Sequence, residues 1–343
     1  MNRASITPAI LAVALLWGAA VAQTEASESR EASKPAPRSG IDFAAGRSLW
    51  AFQPVGHPQP PSLPGDSWSQ QDVDRFILER LRQAGLQPAA AADRRTLIRR
   101  VTFDLTGLPP KVEEVLAFSK ERYEQQVDQL LASPHYGERM AVDWLDSARY
   151  ADSYGFQVDR ERDVWPWRDW VIKAFNDNLP YDQFLTWQIA GDLLPNATTE
   201  QRLATLFNRL HRQTQEGGSI EPEFRQEYIS DRVHTAGTAF LGLTMECCKC
   251  HDHKYDPLPQ QDYYSMAAMF GQIDENGLFP YSISTTAPEP SMRLTQPEQE
   301  AEIATRRAAL EAALAHSQSV LTHRATAFDG WLAATGSIAT PVP

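Results

Sequence analysis

No stretch of this chain alternates apolar and polar residues, while its apolar runs recur at helical spacing. A half-buried strand needs a period of two and an amphipathic helix a period near 3.6, so the chain is confined to a mainly α fold. In "SWSQQDVDRFILERLRQAGL", Ser69 followed by Asp72 reads as a capping signature. Val73, Phe76, Ile77, Leu78 and Leu81 then share one face, and Gly85 supplies the stop. "DRRTLIRRVTFDLTGLPP" is a second helix, closed by Gly107 and two prolines. Five further segments between residues 112 and 194 continue the series. "PEFRQEYISDRVHTAGTAFLGLTMECC" reads as the longest helix of the domain, with Pro222 in its first turn. Residues 297–334 read as one long helix or one arm of a helical hairpin, with Ile303, Leu310, Leu314 and Leu321 as an irregular apolar stripe. The expected fold is an irregular multi-helix domain followed by this long C-terminal helix.

The remaining segments give the expected organisation. Residues 1–22 carry Asn2 and Arg3, then the uncharged "ITPAILAVALLWGAAVA", the form of a secretory signal and too short for a membrane span. Residues 23–47 are polar and read as a disordered leader. The helical domain then covers 48–272 and opens on a proline-rich arm carrying Trp50 and Phe52. Residues 273–296 are loop-like and read as a linker, and 335–343 form a tail. No segment after the signal is apolar enough to span a bilayer. The chain is expected to be exported, to the periplasm or the extracellular space. Net charge is −12, which argues against nucleic-acid binding, since that needs a basic surface to neutralise phosphates.

All three cysteines lie in "CCKCHDHKYDP", residues 247–257. Crowded cysteines without a distant partner cannot close a loop, so they point to chemistry rather than stapling. Cys247, Cys250 and His251 fit C-x-x-C-H, the signature of covalent haem c attachment. Two thiols on one helical turn can reach the two vinyl groups of a porphyrin, and the following histidine is placed as the proximal iron ligand. A zinc site built from Cys247, Cys250, His251 and His253 is the alternative, although its ligands would be unusually close in sequence. A thioredoxin-like dithiol would sit at a helix start after a strand, whereas this one follows a helix. For the distal side of the iron, His211 in "FNRLHRQTQEGG" is the candidate, either as ligand or as acid/base. Met245, Met266 and Met269 could also serve, though methionines in apolar helices are normally packing residues. His234 lies 17 residues before His251. On one straight helix that is about 25 Å, too far for a shared metal unless the helix breaks.

Four long stretches occur in order: "DRRTLIRRVTFDLTGLPP", "LLASPHYGERMAVDWLDSARYADSYGFQVD", "WPWRDWVIKAFNDNLPYDQFLTWQIAGDLL" and "EGGSIEPEFRQEYISDRVHTAGTAFLGLTMECCKCHDHKYDPLPQQDYY". Over about residues 48–272 the chain resembles the DUF1549 family, secreted planctomycete-type proteins usually followed by a DUF1553 domain. The resemblance implies a c-type haem, an electron-transfer or DUF1553-type partner, and a link to exported polysaccharide and sulfated-glycan degradation. Many relatives carry a cytochrome c domain ahead of this one. Neither that domain nor a DUF1553 half is found here, the layout expected of a truncated member. Asn208, His211, Glu216, Gly217 and Gly218 match the family's N-x-x-H…EGG stretch, which strengthens His211.

Asp146, Arg149, Asp152 and Asp159 fall in a second family-like stretch. Their spacing suits a cation or a sugar hydroxyl, and equally a helix pair between Asp146 and Arg149. Arg225, Glu227, Asp231 and Arg232 read as a charged helix face, solvated or paired. The sequence therefore leads to an exported haem c protein for electron transfer or haem-dependent redox chemistry. The competing reading is a zinc-stapled, non-redox module that binds glycan or scaffolds an exported complex.

Overall fold

The computed structural model describes residues 42–156, 159–278 and 290–335. Residues 1–41 and 336–343, which hold the expected signal, most of the leader and nearly all of the tail, lie outside the described residues, as do 279–289 of the linker. The chain divides into two units, Met1–Ala287 and Pro288–Pro343. The described residues contain no strand, only two isolated bridges, Ser153 with Glu161 and Thr214 with Leu278. The protein is mainly α.

Among the described residues of the first unit eleven helices follow one another: α1 Phe43–Arg47, α2 Asp72–Gln83, α3 Arg94–Thr106, α4 Val112–Ala117, α5 Tyr123–Leu131, α6 Pro134–Ser147, α7 Trp165–Asn176, α8 Tyr181–Ala190, α9 Thr199–Ala204, α10 Glu221–Ala236 and α11 Gln260–Phe270. Short 3₁₀ turns at Trp50–Phe52, Thr205–Arg209 and Glu246–Lys249 lie between them. The second unit holds α12, Pro297–Thr335, none of whose residues is buried. Local chemistry sets the boundaries. Asp93 accepts N–H bonds from Arg95 and Thr96 at the start of α3, and Gly107 ends it in the left-handed region at φ 70°. Ser133 caps α6 with Pro134 in its first turn.

Three boundaries differ from the sequence reading. Helix α2 starts at Asp72 rather than beside Ser69, because the Asp74 carboxylate accepts the N–H groups of Gln70 and Gln71. Residues 43–47, assigned to the leader on composition, form α1 because Asp42 accepts from Ala44 and Ala45. The long helix expected through Cys248 stops at Ala236. It passes through a π turn at Gly237–Leu241, and Gly242 at φ 64° then reverses the chain.

Two apolar clusters hold the first unit together. Trp167, Trp170, Val171, Phe184, Phe207 and Leu210 join α7, α8 and the 205–209 turn, with Trp144 of α6 packed against them. The indole N–H of Trp144 donates to the buried Gln188 side chain at 2.9 Å, and that of Trp167 donates to the Ala204 carbonyl at 3.1 Å. The second cluster packs Ile229, Val233 and Ala236 of α10 against Met245, Cys248, Leu258 and α11. Phe240 of the π turn touches both clusters. Helices α6 and α7 approach closely at Gly137, where a β-carbon would lie 2.4 Å from the Ile172 carbonyl oxygen. Gly137→Ala must force these helices apart, and a loss of about 1–3 kcal/mol in urea unfolding is expected. An unchanged midpoint would contradict this packing.

Candidate functional site

Because α10 breaks, the cysteine turn folds back along it. The Leu243 N–H bonds the Gly237 carbonyl at 2.9 Å, closing the reversal. The 3₁₀ turn Glu246–Lys249 then lies against α10, where the Lys249 ammonium meets the Glu227 carboxylate at 2.9 Å. This removes the premise behind the 25 Å separation of His234 from His251, since the two are not on one straight helix. His234 sits on α10 with its Nδ1 buried and unpartnered.

The turn sorts the three thiols. Cys247 lies within the turn and Cys250 is its C-terminal cap, and both are exposed. Cys248 points the other way, is fully buried in the second cluster, and donates its S–H to the Leu258 carbonyl. Burial pushes its thiol pKa up, which keeps it protonated and unreactive. Neither the haem nor the zinc reading uses Cys248, and the structure makes it a packing residue. His251 is exposed, and its Nδ1 lies 2.7 Å from the Asp252 carbonyl. A carbonyl only accepts, so Nδ1 carries the proton and Nε2 keeps a free lone pair. This is the arrangement seen in metal-ligating histidines.

His253 pins the loop that carries these groups. It is buried, and its Nδ1 accepts the N–H bonds of Tyr255 at 3.2 Å and Asp256 at 2.8 Å. Nε2 therefore holds the proton and donates it to Thr244 Oγ1 at 3.2 Å. The sequence offered His253 as a fourth zinc ligand, but both of its nitrogens serve the loop. The described residues gather no group of three or more His, Cys, Asp or Glu able to hold a metal ion. Gln260 and Tyr264 complete the platform by donating to the Lys249 carbonyl at 3.2 and 2.9 Å.

His211 lies in a different setting, a buried ionic knot. Arg232, read from sequence as solvated or paired, is almost fully buried. Its Nη1 and Nη2 donate to the two Glu275 oxygens at 2.5 and 2.6 Å, and its Nε donates to the Asn208 carbonyl. Arg232 Nη2 also lies 2.8 Å from His211 Nε2. A guanidinium only donates, so Nε2 accepts, Nδ1–H donates to the Arg212 carbonyl at 2.9 Å, and the ring is neutral. The ring stacks on Tyr228 at 4.2 Å. In this conformation His211 has no nitrogen left for iron. Next to it Arg162, also buried, donates to the carbonyls of Ala151, Leu210 and His211 and clamps the two loops. Burial pulls its pKa down to about 10, so it stays charged at neutral pH.

The remaining candidates are dispersed. Asp146 is exposed on α6. Arg149, at φ 54° just past that helix, forms an ion pair with Asp231 of α10 rather than with Asp146. Asp152 accepts the Tyr150 hydroxyl, and Asp159 accepts the Gly155 N–H at 2.8 Å. Glu216 is exposed, with its N–H on the Thr214 hydroxyl. No shared cation or sugar site forms from these residues. Sequence reasoning missed Arg162 and Glu275, which lie in loops without periodic pattern. The one available signal was a carboxylate in an otherwise loop-like segment.

The knot makes stability acid-sensitive. Burial, reinforced by the Arg232 charge and opposed by Glu275, pushes His211 from 6.5 down to about 4. Burial tends to raise Glu275, but the bonds from Arg232 and the Arg232 charge outweigh it and hold it at about 2, against an ordinary 4.5. Both groups take up protons more readily in the unfolded chain, so their stabilisation is full above pH 6.5 and falls with pH. The His211 contribution falls between pH 6.5 and 4, and that of Glu275 between 4.5 and 2. Urea midpoints measured against pH should fall from 6.5 downward, and His211→Gln should flatten the limb between 6.5 and 4. An equally steep limb in that variant would contradict the assignment. Glu275→Ala leaves Arg232 charged and buried without its partner, and a cost of about 3–5 kcal/mol is expected in the same assay.

No curated protein and no solved structure matches the chain. The family model described as a protein of unknown function (DUF1549), with the short name PSCyt2, matches residues 72–275. That span opens on the first residue of α2, closes on the buried Glu275, and contains the whole cysteine platform. The match covers more than half the chain, and the protein belongs to the DUF1549 family.

Proposed function

We propose that the protein is an exported c-type haem protein, with Cys247 and Cys250 as the attachment points and His251 as the proximal ligand. The observation that carries this reading is the sorting of the motif. The two thiols the signature requires are exposed, the third is sequestered, and the His251 Nε2 lone pair is free. Attachment needs no net oxidation. Each thiol loses its S–H bond and gains an S–C bond to a vinyl carbon, its hydrogen ending on the neighbouring vinyl carbon. When bound, haem would supply one-electron redox chemistry.

The residues of this chain would hold and orient it. The Asp252 carbonyl fixes the His251 tautomer, and His253, Gln260 and Tyr264 fix the backbone beneath the thiols. A six-coordinate iron would favour electron transfer with a redox partner, and an open distal face would favour oxidative chemistry. The setting we propose is an exported polysaccharide-degrading system, periplasmic or extracellular. A zinc knot accounts for these observations less well, because His253 is committed to its loop.

The test is haem staining on a denaturing gel after expression with haem c maturation machinery. Cys247→Ala with Cys250→Ala should abolish the stain, and His211→Gln should retain it. Staining retained without both thiols would overturn the reading, as would a colourless wild-type protein carrying stoichiometric zinc.

A further inference from the structure

Helix α12 runs for 39 residues and buries none of them. Helices in proteins owe most of their stability to an apolar face packed on another element, and this helix has such a face. Leu314, Leu321 and Phe328 recur every seven residues, and Ile303, Leu310 and Trp331 fall on the interleaved row of the same repeat. Leu310, Leu314, Leu321, Phe328 and Trp331 are each 55–60 % exposed. Ala313, Val320, Ala327 and Ala334 repeat at the same interval along one flank, and side chains this short let a second helix come close. Two cations interrupt the stripe, Arg307 and Arg324, and among the described residues neither has an ion-pair partner. One turn to either side of Arg324 stand Val320, Leu321, Ala327 and Phe328, so its own helix offers it no carboxylate. The two ends of the helix differ. Near the start, Glu300 lies on the same stripe and accepts the Thr295 hydroxyl at 2.8 Å. Residues 293–295 lie beside these first turns and leave an open groove of about 430 Å³ walled by Arg293, Leu294, Ile303 and Arg306. Near the end, Phe328 and Trp331 stack at 5.8 Å and stand in water.

We infer that α12 is a self-association helix, which pairs antiparallel with α12 of a second copy so that Glu300 meets the partner's Arg324. That one pairing fixes the register of all the others. Ile303 then faces the partner's Leu321, Leu310 faces the partner's Leu314, and Arg307 faces the partner's Ser317, each pair occurring twice by symmetry. The overlap runs from Pro297 to Ala327, about 46 Å of helix. Just beyond it, Phe328 and Trp331 reach the partner's residues 293–296, where the groove lies open and Arg293 can cover a ring face. A parallel pair would instead set each Arg307 and each Arg324 against its own copy, and would leave groove and aromatic pair at opposite ends. A charged pair inside an otherwise apolar seam selects one orientation and one register at some cost in stability. The inference is independent of the haem reading.

Sedimentation equilibrium of the full chain tests the pairing. The wild type is expected at twice the chain mass at micromolar concentration. Leu310→Asp with Leu314→Asp should be monomeric and should keep the wild-type urea midpoint of the first unit, since α12 lends no residue to either apolar cluster. A wild type that stays monomeric up to about 100 μM overturns the inference, and so does a double variant that stays dimeric. The charge pair tests orientation without loss of helix propensity, because Glu and Arg are both good helix formers. Arg324→Glu should raise the dimer Kd about tenfold or more, and adding Glu300→Arg should return it to within about threefold of wild type. A Kd that ignores Arg324→Glu, or a reversed pair that fails to restore it, overturns the antiparallel register.

Discussion

The bidentate pair between Arg232 and Glu275 is the contact on which the rest of the first unit depends. It ties the middle of α10 to the chain beyond α11, and through Asn208 and His211 to the segment that closes the first apolar cluster. A buried guanidinium tolerates this position only because its carboxylate, a carbonyl and a neutral imidazole all face it. With α10 fixed in this way, the side chains of Ile229 and Val233 are placed to receive Cys248, and the cysteine turn follows.

Two histidines next to each other in the motif divide the work. His253 is consumed by architecture, with one nitrogen accepting two backbone N–H bonds and the other donating to Thr244. His251, held by one carbonyl, is left with a usable lone pair. The cysteines divide similarly, with Cys248 in the core and Cys247 and Cys250 in water. A motif that looks like a dense knot of ligands in one dimension is thus a few exposed groups on a rigid support.

Much of the fold was legible because helical periodicity and end signals are local properties. Gly107 and Pro134 mark their helix ends by backbone preferences that tertiary context did not override. The break after Ala236 was not legible, since "AGTAFLG" keeps apolar character and its π turn is stabilised by packing of Gly237 on Met245 and of its own Phe240 on both apolar clusters. Cys247, Cys250 and His251 are singled out as candidates by their spacing alone. The roles of His211 and His253 depend on partners 21 and 9 residues away, which spacing does not encode. Whether Arg232 is solvated or paired stayed open for a related reason, because a charge on a helix says nothing of its burial until its carboxylate is located.

The most direct measurement is the visible spectrum of the exported protein, air-oxidised and then reduced with dithionite, before and after denaturation. The account predicts a Soret band with sharp reduced α and β bands that stay with the polypeptide when it is unfolded. A protein without those bands, made in a host that attaches haem c to a control protein, would contradict it.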